Sequence, residues 1–90
     1  MILATAKVTD LDRFLKTFST RGAEKRSEHR SRHSHVFRDP QDAGRVWVVF
    51  DWDAADYEGF IADPEVPAVL QEAGLQGPPV MAEPAGEFGS

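Results

Sequence analysis

His33 and His35 are the residues of this 90-residue chain best suited by type and spacing to do chemistry. They stand two apart in Arg32–Arg38, a stretch that reads as a strand, and so share one face of it. Imidazole titrates near working pH, and either ring could act as general base on an acidic C–H or a phenol. Tyr57 could orient a carbonyl or phenolate by hydrogen bonding. With His29 the pair also raises the question of a metal, since His-x-His is a workable ligand pair for zinc, copper or nickel. His29 falls at a helix end, across a turn from the others, and no acid is placed as a fourth ligand, so no metal is expected.

The element that must position these groups is Arg45-Val46-Trp47-Val48-Val49-Phe50-Asp51-Trp52, in which Asp51 is the only polar interruption. A strand with one wet face alternates apolar and polar residues. Here Val46, Val48, Phe50 and Trp52 make one apolar face, and Trp47 and Val49 put large apolar groups on the other. Such a strand needs cover on both sides. The expectation is helices on one face and a second copy of the chain on the other. Asp39–Gly44 reads as a hairpin loop between this strand and Arg32–Arg38. If Arg38 faces Arg45 across it, His33, His35 and Phe37 join the face of Val46, Val48, Phe50 and Trp52, and Arg32 meets Asp51. A slip of one residue would move both histidines to the opposite face.

Ile2–Val8 reads as a first strand, with Ile2, Ala4, Ala6 and Val8 on one face and Leu3, Thr5 and Lys7 on the other. Thr9 or Asp10 can cap a helix from Leu11 to about His29, with Leu11, Phe14, Leu15 and Phe18 at helical spacing and a bend expected at Gly22. Asp53 can cap a second helix that turns Tyr57, Phe60 and Ile61 inward. Asp63-Pro64-Glu65 restarts it, and Gly74 ends it as a left-handed residue. A short strand follows at Val80–Glu83. The order is β-α-β-β-α-β, the split βαβ of ferredoxin-like α+β domains, with an antiparallel sheet and both helices on one face. Residues 1–84 make one such domain, and 85–90 an end with no pattern.

A chain of this length buries only roughly 60–65% of its unfolded surface, so its core is thin and dimerisation would thicken it. The apolar share of 41% and charged share of 28% fit a soluble globular protein. Without cysteine there is no disulfide, thiolate nucleophile or cysteine-ligated metal. No signal peptide is visible and no apolar run approaches the ~18 residues that span a bilayer, so a cytoplasmic location is expected. Arg21, Lys25, Arg26, Arg30, Arg32 and Arg38 crowd one stretch. Glu24 and Glu28 dilute that patch, no aromatic interleaves with it and the net charge is −5, so nucleic acid is not expected as a partner.

Val8–Phe14, Val36-Phe-Arg-Asp-Pro40, Val46–Asp53, Phe60–Val66 and Leu70–Gly74 with Gly77-Pro-Pro79 together resemble the dimeric α/β-barrel superfamily, and within it the small antibiotic-biosynthesis-monooxygenase-like proteins and related cyclases. The resemblance covers about residues 2–83 and is specific for fold more than for reaction. It implies a homodimer whose two sheets form a barrel, and a pocket in each subunit between sheet and helices. Trp52 resembles the tryptophan that ends the third strand near the substrate in monooxygenase-like members. Phe50 stands where those relatives often carry glutamate, which makes the pocket drier, and Thr5 and Ala6 stand where some carry arginine and histidine.

The reading that results is a small cofactor-independent enzyme of cyclase or monooxygenase type, acting on an aromatic or polyketide-like substrate. His33, His35 and Tyr57 are its candidate catalytic residues, and Trp52, Phe50, Phe37, Phe14 and Phe60 its candidate substrate-binding residues. Trp47, Val49, Leu3 and Val36 are the candidate dimer interface. The alternative is a non-catalytic dimeric module that binds a hydrophobic small molecule or has a structural role.

Overall fold

The computed structural model describes Met1–Ser90. Strand β1 (Ile2–Lys7) is followed by helices α1 (Leu11–Ser19) and α2 (Arg21–Glu28), strands β2 (His33–Asp39) and β3 (Asp42–Asp51), helices α3 (Ala54–Ala62) and α4 (Val66–Glu72), and strand β4 (Val80–Ala82). The four strands form one antiparallel sheet in the order β2-β3-β1-β4, the ferredoxin-like arrangement. No helix is long and apolar enough to cross a membrane. From Glu83 to Ser90 the chain holds no helix or strand.

The two apolar faces of β3 have different fates. Val46, Val48, Phe50 and Trp52 are buried under the helices with Ile2, Ala4 and Ala6 of β1. Trp47 and Val49 share the opposite face with Leu3 and Thr5, which no helix covers. Trp52 has no exposed surface; its ring stands edge-on to Tyr57 and Phe60 at 5.4 and 5.2 Å, and its Nε1 donates to the carbonyl of His29 at 2.7 Å. Only 18 of the 90 residues are buried, so a large share of the core rests on this cluster.

The hairpin register differs by one residue from the expected one. Arg38 faces Val46, whereas Asp39 faces Asp42, so Ala43, Gly44 and Arg45 have no opposite number on β2. The cause is local. Asp39 folds back to accept the backbone N–H of Gln41 at 2.8 Å, which tightens the turn, and Gly44 turns its carbonyl to the N–H of Val8 at 2.7 Å. The bulge this leaves moves every side chain of β2 to the other face. His33, His35 and Phe37 therefore lie opposite Asp51, Val49 and Trp47 on the open face, away from the helices. Val36, placed by the sequence in the interface set, lies opposite Val48 and packs on the core. Arg32 still reaches Asp51, at 3.0 Å, although His33 is the residue paired with it.

The single helix expected from Leu11 to His29 is two helices, broken at Thr20 and not at Gly22. Asp10 caps the first by accepting from Arg13 N. Thr20 takes φ −116° and ψ −97°, and its Oγ1 donates to the Lys16 carbonyl at 2.7 Å, a local bond that competes with continued helix. Gly22 serves close approach instead: a Cβ there would lie 3.0 Å from both Arg26 Nη1 and the Thr17 carbonyl. Asp53 gives its carboxylate to Arg32 and makes no side-chain cap on α3. Leu15 and Ile61, expected inside, are exposed. Gly74 has the expected left-handed backbone, φ +83°, and a Cβ there would meet Thr9 Oγ1 at 2.6 Å.

Trp52→Ala removes the packing that joins β3 to α3 and leaves the His29 carbonyl without its donor. It should cost about 3–5 kcal/mol, read as a lowered urea midpoint followed by circular dichroism.

Candidate functional site

Between the helix-side face of the sheet and the helices lies a cavity of about 70 Å³, walled by Phe14 and Phe18 of α1, Phe50 of β3, and Tyr57 and Phe60 of α3. The 3.6-residue period of α1 brings Phe14 and Phe18 to one side, with ring centroids 5.3 Å apart, and Phe18 lies 6.3 Å from Phe50. Ala4 and Ala6 keep the floor low enough for a space to exist. An engineered apolar cavity of about 150 Å³ takes up benzene. The space here is about half that, so in this conformation it does not hold a multi-ring ligand.

Of the expected substrate-binding residues, Phe14, Phe50 and Phe60 meet at this cavity. Trp52 is packed behind them and does not line it, and Phe37 lies on the open face, half exposed. Of the expected catalytic residues only Tyr57 is in the wall. His33 and His35 stand edge to face at 4.7 Å on the other side of the sheet. His29 is occupied elsewhere, its Nε2 2.9 Å from Asp63 Oδ2, so the three histidines do not converge. Leu3, Trp47 and Val49 lie on the open face as the strand pattern requires. Trp47 is tied there by its Nε1, which donates to Asp39 at 3.0 Å.

The polar groups of the cavity are few. Burial alone pushes the Tyr57 phenol above its ordinary value, with no charge or hydrogen bond of the protein to oppose it. Tyr57 is therefore a standing donor throughout the physiological range. Thr17 is buried at the cavity wall. Arg26 is the group that the sequence did not single out: it borders the cavity, with its guanidinium over the Phe18 ring at 3.6 Å from the centroid. In the sequence it is one of a crowded run of bases, and only Gly22, one helical turn earlier, hints at its inward course. No histidine, aspartate or glutamate lines the cavity.

Beside the cavity, the buried Lys25 ties α2 to the loop before α4. Its Nζ lies 2.9 Å from both Asp63 and Glu65 and 3.1 Å from Glu28. The hydrogen bonds it donates to Glu65 and Asp63 hold its ammonium well above the usual lysine value. Hydrogen bonds from His29, Lys25 and the Glu65 N–H hold the Asp63 carboxyl well below the carboxylate range.

No protein-family model matches the chain, and no curated protein matches it in sequence. Solved structures do match it in fold. SnoaB, a cofactor-independent oxygenase from Streptomyces nogalater, superposes with a TM-score of 0.70 at 12% identity, over 99% of this chain and 95% of that one. An antibiotic biosynthesis monooxygenase gives 0.61 at 16% identity over 90% of each chain. A NIPSNAP domain protein from Burkholderia xenovorans gives 0.64 at 20% identity, over 99% of this chain and 97% of that one. At these identities the likeness is one of fold: the chain has the ferredoxin-like fold of the antibiotic biosynthesis monooxygenases.

The Asp63 cluster generates a pH dependence. A carboxyl whose folded value is depressed contributes stability that is present above its unfolded value, here 3.8, and drains away as pH falls toward the folded one. Acid unfolding of the wild type should therefore steepen below about pH 4. Asp63→Asn should flatten that limb while lowering stability at pH 7, as measured by urea melts across the pH series.

Proposed function

We propose that this chain is a cofactor-independent enzyme of the monooxygenase type, acting on an aromatic or polyketide-like substrate that inserts one ring into the cavity. The observation that carries this reading is a dry aromatic cavity whose wall holds the Tyr57 phenol, kept protonated by burial. The fold shared with a cofactor-independent oxygenase supports it by analogy only. A CH₂ flanked by carbonyl or aromatic groups loses a proton to water at the cavity mouth. The carbanion passes electrons to O₂ and forms a C–O bond, and the protonated peroxide expels water to leave a carbonyl. One CH₂ and one O₂ thus become one C=O and one H₂O. Tyr57 assists by donating a hydrogen bond to the oxygen on which charge builds as the proton leaves. A cyclase that works by general base catalysis needs a base within hydrogen-bond reach of the substrate, and the lining of this cavity supplies none.

A homodimer belongs to the same reading. Leu3, Trp47 and Val49 with Phe37 and Val80 make an apolar face on a sheet that helices cover on one side only. A second copy placed sheet to sheet would bury that face and, with it, His33 and His35. The histidines then belong to the assembly and not to the reaction. A binding role without catalysis is favoured by one observation, a lining that holds no histidine, aspartate or glutamate.

Oxygen uptake with a one-ring enolisable ketone such as phenylacetone, whose CH₂ lies between a ring and a carbonyl, separates these roles. The wild type should accelerate uptake over buffer, and Tyr57→Phe should lower the rate by roughly 100-fold with little loss of binding. Binding without uptake would leave a binding module, and no binding would remove the cavity as the site. By sedimentation, the wild type should have the mass of two chains, and Val49→Asp that of one.

A further inference from the structure

Arg26 and Lys25 are neighbours in α2 with opposite surroundings. Lys25 has three carboxylates within 3.1 Å. Arg26 has none, and burial lowers its pKa to about 10. Its stem is well held. The Nη1 group donates to the Phe18 carbonyl at 2.9 Å, at the C-terminal end of α1 where carbonyls lack helical partners, and the guanidinium carbon sits over the Phe18 ring. One bond uses a small part of a guanidinium, which has five N–H donors in a planar fork. No buried side-chain nitrogen in the protein lacks a partner, so the free donors open onto accessible space; the side chain itself borders the cavity, whose own surface is almost wholly apolar. The residue at position 22 is a glycine, and a Cβ there would press on Arg26 Nη1 at 3.0 Å. The capping bond and the stacking account for where the side chain is held. They leave a half-buried positive charge at the edge of an apolar space with no counter-charge.

We propose that Arg26 is the anion-recognising residue of the cavity, and that the ligand is an aromatic molecule bearing an ionised oxygen (a phenolate, enolate or carboxylate) in preference to its neutral counterpart. Desolvation strengthens the attraction between such a pair, and a charge-assisted bond to guanidinium is about twice as strong as a neutral one. This inference rests on the cavity being the ligand site and deepens that reading: it names the chemical state in which the ligand is held. It also supplies what the cavity otherwise lacks. With no base in the wall, an acid that ionises readily and is held as its anion needs none.

The test compares 4-nitrophenol with 4-nitroanisole, which share a ring but differ in whether the oxygen can ionise. The wild type should bind the phenolate at least about tenfold more tightly, and the absorbance of the bound probe should show its pKa lowered by about one unit, since one unit is a factor of ten. Arg26→Met should abolish both effects, so that the variant holds the two probes equally, and Arg26→Lys should restore part of them. Equal binding of the two probes by the wild type, or an unchanged pKa shift in Arg26→Met, would overturn the proposal while the cavity reading stands. Binding of neither probe would remove both. If loss of the α1 cap unfolds Arg26→Met, the wild-type comparison together with Arg26→Lys decides the matter, because a preference that survives undiminished in the lysine variant at a pH where both probes are neutral would exclude recognition of charge.

Discussion

The indole of Trp52 is the member on which the rest of the molecule hangs. It ends the strand that carries most of the buried sheet surface, it stands against Tyr57 and Phe60 of the helix that follows, and its N–H reaches the carbonyl that closes α2. One side chain thus fixes the distance of two helices from the sheet. That distance decides whether the space in front of Phe50 is filled or left open. With so few buried residues in the chain, no second cluster is large enough to take over the task. The cavity is a product of this arrangement: aromatic rings hold the layers apart, and the alanines of β1 do not fill the gap.

The order of elements was legible because it rests on strong local signals. The alternation in Ile2–Lys7, the run Arg45–Trp52 and the glycine at position 74 each lead to one structure by a single physical reason. The site was legible only in part. Phe14, Phe50, Phe60 and Tyr57 follow from helical and strand periods, so their shared face could be read directly. The face of β2 could not. It depends on three residues of β3 that a tight turn and a bond to Val8 leave unopposed, and nothing in Asp39–Gly44 reports a long-range bond to the end of β1. Arg26 was hidden for a related reason. The break at Thr20 resets the helical phase, so a period carried forward from Phe14 and Phe18 does not reach α2 in register.

Charge in this small domain is distributed by burial. Lys25, the deeply placed ammonium, is surrounded by acids from its own helix and from the loop before α4, and so joins two helices that pack on the same sheet face. Exposed pairs such as Arg32 with Asp51 bridge strand ends and contribute little individually. Arg26 lies between these cases, desolvated yet unneutralised, and held by an aromatic face and a helix end. A buried lysine with partners is a structural joint; a half-buried arginine without them is an unfilled valence of the fold.

The unopposed residues of the β2–β3 hairpin have a consequence for how chains of this kind diverge. Surface hairpins ordinarily absorb insertions and deletions at little cost. Here an odd change in length that slid β2 by one step along β3 would bring His33 and His35 to the inner face in place of Ser34 and Val36, whereas an even change would restore the existing face. Length parity at one turn would thereby decide whether two imidazoles lie on the helix side of the sheet or on its open face. The same scaffold could pass between unlike chemistries with no substitution near its cavity.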